Sequence, residues 1–151
     1  LYGPLAGFVL ALLGLYLTEV QLPQRIAATM LSVTNEKWAI LAILNVFFLL
    51  IGMFLHSAAA IILVVPIVMP VVTAAGIDPV HFGVIVTLNL AIGQQTPPVA
   101  SVLLLTCSIA KESVWDVTRA NVPFIGVLLV TLLLITYVPV VTLGLVDVFY
   151  R

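Results

Sequence analysis

Charge is what this sequence of 151 residues has least of: 7% of its positions are Asp, Glu, Lys or Arg, against about 25% in an ordinary soluble domain. With 64% hydrophobic residues, a soluble fold could not find enough polar surface to cover its core. The few charges also cluster, leaving residues 1–18, 38–77, 79–110 and 120–146 free of Lys, Arg, Asp and Glu. Each run is near or above the roughly 18 to 20 apolar residues that cross a bilayer as a helix. The fold class is therefore an all-α membrane protein, a polytopic helical bundle. The net charge of −1 adds nothing, because the charges punctuate loops.

Other absences narrow the function. The single cysteine, Cys107, excludes an internal disulfide and a cysteine-based metal cluster. There is no GxSG serine motif, no HExxH and no Asp inside an apolar segment, so an intramembrane hydrolase is disfavoured. No fixed-period repeat is visible. No initiator Met or basic region precedes the first apolar run, so Leu1 reads as lying inside a longer protein rather than opening a signal peptide. Arg25 and Lys37 balance Lys111 and Arg119, so positive-inside counting does not orient the chain.

What is present divides the chain into four. Residues 1–36 read as a scaffold transmembrane helix (2–21) and an interfacial amphipathic helix (24–36), in which Ile26, Met30 and Val33 recur at helical spacing. Thr34 or Asn35 then caps the next helix, and Trp38 suits the interface. The following apolar run of 40 residues would make roughly 60 Å of straight helix, twice the hydrocarbon thickness, so residues 37–77 must fold back. The turning point is "GMFLHS", 52–57. Two complete crossings and a re-entrant helical hairpin both fit, and the uncharged tip favours the hairpin. Pro66 and Pro70 should bend its return arm.

Residues 78–119 read as a proline-broken transmembrane helix and a connection. Gly76 suits a helix C′ position, and Asp78-Pro79 an N-cap with proline at N1. The new helix runs to about Ile92 and meets "GQQTPP", Gly93 to Pro98. Residues 120–151 hold the C-terminal transmembrane helix, bent near Pro139.

The break is the main functional clue. Pro97 and Pro98 remove two N–H donors and clash with the preceding turn, freeing backbone groups that cost several kcal/mol each if they face lipid. They must line a cavity or touch protein. Gln94, Gln95, Thr96 and Ser101 add neutral oxygens and donors, a set suited to a desolvated Na⁺ or a polar anionic substrate, since the following half-helix offers its positive end to a carboxylate. A structural proline kink is the plain alternative. Two interruptions, one at 52–57 and one at 93–98, favour a secondary-transport site.

The stretch from Gly52 to Val99, with its G-M-F tip, "GIDPVHFG" and then "NLAIGQQTPPV", resembles the C-terminal half of the large membrane subunit (DctM-like permease) of TRAP, tripartite ATP-independent periplasmic, transporters. That resemblance implies one inverted repeat of an elevator-type ion transporter, multi-pass in the bacterial inner (cytoplasmic) membrane. It implies Na⁺-coupled uptake of an organic acid such as a C4-dicarboxylate or sialic acid. The implied partners are a periplasmic substrate-binding protein, a small (DctQ-like) membrane subunit, the organic acid substrate and the lipid bilayer, with no nucleic acid. No cofactor is implied apart from Na⁺ as coupling ion, and no enzyme activity.

By the same resemblance, the tip and the break approach each other. Gly52, His56, Ser57, Gly93, Gln94, Gln95, Thr96, Pro97 and Pro98 are the substrate and ion candidates, with Na⁺ held near Gly52, Gly93 and Thr96. His56, Gln94 and Gln95 depart from common relatives. His56 could be a structural hydrogen-bonding residue, a substrate contact or a proton carrier. His81 reads as capping or loop packing, and Asn45 and Asn89 as hydrogen-bonded links between helices. A proton-coupled anion transporter and a non-catalytic structural subunit are the alternatives.

Overall fold

A computed structural model describes residues 36–97 and 100–150, together with 12, 28, 29 and 32. The expected first helix and interfacial helix, with Thr34 and Asn35, therefore lie outside the described residues. Six helices follow: α1 (Lys37–Phe54), α2 (Ser57–Ala74), α3 (Pro79–Gly93), α4 (Ser101–Ala110), α5 (Val114–Tyr137) and α6 (Val140–Tyr150). There is no strand among the described residues. The protein is an all-α membrane protein, with α1, α2 and α5 long and apolar enough to cross a bilayer.

α1 and α2 form an antiparallel hairpin. Two extended residues, Leu55 and His56, turn the chain, and at the open end the Lys37 ammonium donates to Gly76 O at 3.1 Å. Each arm has 18 residues, about 27 Å of helix. α2 runs unbroken through Pro66 and Pro70, so each proline removes one backbone bond without ending the helix.

The turn after α2 follows from its glycine. Gly76 takes φ +66°, Ile77 N–H reaches back to Val72 O and Gly76 N–H to Thr73 O, both at 3.0 Å, which is the paired bonding of a Schellman cap. Asp78 then caps α3, its Oδ1 accepting from Val80 N at 2.8 Å and His81 N at 3.3 Å. Asp78→Ala should cost about 1 kcal/mol, measurable as a lower midpoint of thermal unfolding in detergent.

α3 is the centre of the bundle and packs on α1, α2, α5 and α6. Ile40, Leu41, Leu44 and Phe48 of α1 meet Phe82, Ile85, Val86 and Leu90 of α3, all buried. Within this seam Phe48 and Phe82 meet edge to face at 5.9 Å. Asn45, Asn89 and Thr136 are also buried there, and the two asparagines do link helices: Asn89 Nδ2 donates to Asn45 Oδ1 at 2.7 Å.

His81 is buried too, although it sits in the first turn of α3. Its Nδ1 lies 2.6 Å from Thr142 Oγ1, and that hydroxyl donates to Pro139 O at 2.9 Å. With the threonine proton so directed, Nδ1 is the donor. The bond ties the start of α3 to α6, just past the break that Val138 and Pro139 make after α5.

α5 begins at Val114, earlier than the apolar run suggests. Ser113 is its N-cap, accepting from Asp116 N at 3.2 Å, so Asp116 and Arg119 of the expected connection lie in the first turns of the helix. α5 also gauges height in the bundle. Tyr137 stacks near Trp38 at the base of the hairpin, with ring centroids 5.7 Å apart, whereas Asn121 reaches Gln95 at the break. From Asn121 to Tyr137 is roughly 24 Å of helix, and a further 10 Å or so continues beyond Asn121 to Val114.

Candidate ion and substrate site

The tip of the hairpin and the break after α3 meet through glycine. A Cβ on Gly93 would lie 2.6 Å from Gly52 C, 2.7 Å from Gly52 Cα and 2.9 Å from Leu49 O; a Cβ on Gly52 would meet Leu90 Cα at 3.1 Å and Gly93 Cα at 3.2 Å. Both residues are buried. Inside a membrane the helices gain little from excluding apolar surface, and small residues let backbones approach closely enough for dispersion to hold them. Here no residue but glycine fits at position 93.

α1 and α3 start at the same end of the bundle and both finish at this contact. Two helix C-termini, each carrying a partial negative charge of about half an elementary charge, are thus brought together. The start of α4 joins them: Ala100, in the left-handed region at φ 42°, donates its N–H to Met53 O in the tip at 3.3 Å.

The polar side chains of the break turn back on α3. Gln94 Nε2 donates to Leu90 O at 3.3 Å, Gln95 Nε2 to Ala91 O at 3.3 Å and Thr96 Oγ1 to Ile92 O at 2.9 Å. Three successive side chains therefore satisfy three successive carbonyls, each one turn back, as the end of a helix requires. The Thr96 proton points at its own helix, and its hydroxyl oxygen keeps only lone pairs for any further partner. That is the character of a cation ligand.

A cavity of about 190 Å³ lies against the contact, bordered by Leu49, Met53, Gly93 and Thr96 and by Ile125 and Leu129 of α5. A second, of about 230 Å³, lies behind the break between α4 and α5 and is bordered by Gln95, Thr106, Asn121 and Phe124 among others. In it Asn121 Nδ2 donates to Gln95 Oε1 at 3.2 Å. Asn121 escapes sequence reading, although an amide so near the start of the last apolar run was an available signal.

The candidates divide accordingly. Gly52, Gly93 and Thr96 come together with Gln94 and Gln95 beside them; Gln94 is buried and Gln95 half-buried. Pro97 is exposed and Pro98 lies outside the described residues. At the tip, Ser57 is the half-buried first residue of α2. His56 is exposed, and its Nδ1 accepts a long 3.4 Å bond from Ala58 N, capping α2. The buried histidine is His81, at the opposite end of α3.

Comparison with known proteins bears on what such a site serves. The isethionate TRAP transporter permease protein DctMQ of Oleidesulfovibrio alaskensis is 41% identical over 128 residues, covering 85% of this chain and 20% of its own. The C4-dicarboxylate TRAP transporter large permease DctM of Vibrio cholerae is 38% identical over 123 residues, 82% of this chain and 27% of its own. The sialic acid large permease SiaM of the same organism is 36% identical over 136 residues, 90% of this chain and 32% of its own. The chain thus spans between a fifth and a third of the length of these relatives. The family is one of transporters rather than enzymes. With residues 6–141 matching the profile of the tripartite ATP-independent periplasmic transporter DctM component, the chain belongs to the DctM family.

Proposed function

We propose that this chain is part of the large permease of a TRAP transporter in the bacterial inner membrane, and that it carries one Na⁺ site of a Na⁺-coupled uptake system for an organic acid. The observation that carries the reading is the meeting of two helix C-termini at Gly52 and Gly93. Neither end has a Lys, Arg or His within its last turn, and two negative helix ends at close approach in a low-dielectric region favour a cation between them. Thr96 supplies an oxygen whose proton is already directed elsewhere.

Height in the membrane supports the same reading. If α5 spans the bilayer from Val114 to Tyr137, the tip lies about 10 Å short of its Val114 end, which supports a re-entrant hairpin with the break inside the membrane. Broken helices meeting there form the ion sites of secondary transporters. The relatives are named for isethionate, C4-dicarboxylates and sialic acid, all organic anions, which supports a carboxylate or sulfonate substrate. The positive N-terminal end of α4 is the group suited to it. The rest of the permease, a small membrane subunit and a periplasmic binding protein complete the system, which moves in an elevator fashion.

The test is uptake by the full-length permease, reconstituted with its partners and binding protein. Transport should fall to background when choline replaces Na⁺ and stay flat between about pH 5 and 8, where a histidine would titrate. Uptake driven by a pH gradient with no Na⁺ present would overturn the reading.

A further inference from the structure

Three helices are pinned to one another at a single buried point below the glycine contact. Asn89 Nδ2 on α3 donates to Ile85 O at 2.9 Å and to Asn45 Oδ1 on α1 at 2.7 Å, and Asn45 Nδ2 donates to Thr136 Oγ1 on α5 at 3.0 Å. Asn45 is 6% exposed, Asn89 and Thr136 0%. The sequence of bonds has one direction. The fixed carbonyl of Ile85 decides which end of the Asn89 amide is nitrogen, that decides the Asn45 oxygen, and Thr136 must accept.

The triad does not look like a device for stability alone. Asn89 Oδ1 is buried without a hydrogen-bond partner, a cost that an apolar pair of similar size would avoid. What a buried amide supplies in a helix interface is register, because no apolar neighbour can replace it. The glycine contact needs that supply. Gly93 follows Asn89 by one turn and Gly52 follows Asn45 by two, on the same sides of α3 and α1. At the contact itself the helices touch through bare backbone with no directional bond between α1 and α3. The Ile, Leu and Val residues along the seam would tolerate a turn of α3 about its axis. Such a turn would take Gly93 out of the contact and bring Ile92 or Gln94 against Gly52.

We infer that Asn45, Asn89 and Thr136 are positioning residues for the ion site, setting the rotation and register of α3 against α1 so that Gly52 and Gly93 coincide. The inference rests on the Na⁺ site proposed above for its functional consequence, but not for its geometry.

The test is the double variant Asn45→Leu with Asn89→Leu in the full-length permease with its partners. An apolar pair keeps the volume and removes the unpartnered oxygen, so a purely structural role leaves the protein folded and unchanged in every readout. Two measurements separate the roles. In a Cys107→Ala background, cysteines at Leu49→Cys and Ile92→Cys, which border the same cavity as Gly93, report the register through their oxidation rate. That rate should fall at least fivefold in the double variant. The Na⁺ concentration for half-maximal uptake should rise at least tenfold in the double variant and also in the single variant Asn89→Gln, whose amide is displaced by a methylene, whereas the single variant Thr136→Ser, which keeps the hydroxyl, should behave as wild type. An unchanged oxidation rate overturns the inference. So does an unchanged Na⁺ dependence when Thr96→Ala shifts it in the same assay. If Thr96→Ala shifts nothing, the Na⁺ reading fails by itself and the oxidation rate alone decides the positioning role.

Discussion

Gly93→Ala should reduce Na⁺-driven uptake at least tenfold. The added methyl would sit 2.6 to 2.9 Å from three backbone atoms, Gly52 C, Gly52 Cα and Leu49 O. Side chains can rotate out of such a clash, but backbone cannot, so α1 and α3 must part. Overpacking of this kind costs typically about 1 to 3 kcal/mol, and the separation opens the contact at which we propose that the two helix ends hold a cation. Gly52→Ala should be milder, because its methyl would meet neighbours at 3.1 to 3.3 Å, a misfit of a few tenths of an ångström. Gly83→Ala is the control. It is exposed on the same helix with nothing within 4 Å of its Cβ, and should be neutral or stabilising by up to about 1 kcal/mol. Uptake at several Na⁺ concentrations, normalised to the folded permease recovered in detergent, orders the three. Equal activity of Gly93→Ala and Gly83→Ala would remove the glycine contact from the mechanism.

The second large effect is expected at Thr96. Thr96→Val keeps the shape and removes the hydroxyl, taking away both the bond to Ile92 O and the oxygen of the proposed ion site. The half-saturating Na⁺ concentration should rise about tenfold or more, equivalent to about 1.4 kcal/mol of binding free energy. Thr96→Ser, which keeps the oxygen, should stay within about threefold, on the order of 0.7 kcal/mol by the same conversion. Gln95→Ala should act more weakly and differently. It uncaps Ala91 O and removes the partner of Asn121, so it should lower maximal uptake more than Na⁺ affinity. A Thr96→Val permease with wild-type Na⁺ dependence would mean that the ion is held elsewhere.

Much of this architecture was legible because it follows from local chemistry. Asp78-Pro79 and Gly76 announce a cap and a left-handed turn that depend only on neighbouring backbone, and both are found. The interruption at Gly93 is equally plain, since two prolines remove donors wherever they stand. Pairing was harder. That Gly93 faces Gly52 depends on the rotation of two helices separated by a turn and a third helix, and no local rule fixes it; family resemblance supplied that expectation. α5 starts before its apolar run because Asp116 and Arg119, which read as part of a connection, follow Ser113, and Ser113 with Asp116 three residues later is itself a helix-start signal. The inward bonding of Gln94, Gln95 and Thr96 was not legible, because it is decided by rotamers. The same residues could have pointed into the cavity.

The buried link from Asn45 to Thr136 spans 91 residues, and this bears on how the chain is made. At roughly 5 to 20 residues per second of synthesis, the Asn45 amide is made on the order of 5 to 18 s before its acceptor exists. Asn89, 44 residues on, arrives about halfway through that interval. During insertion α1 therefore carries an unmatched amide, first toward whatever surrounds the emerging chain and then toward α3. Synthesis therefore makes α3 available to dock on α1, and to occupy the Asn45 oxygen, before α5 can close the bundle.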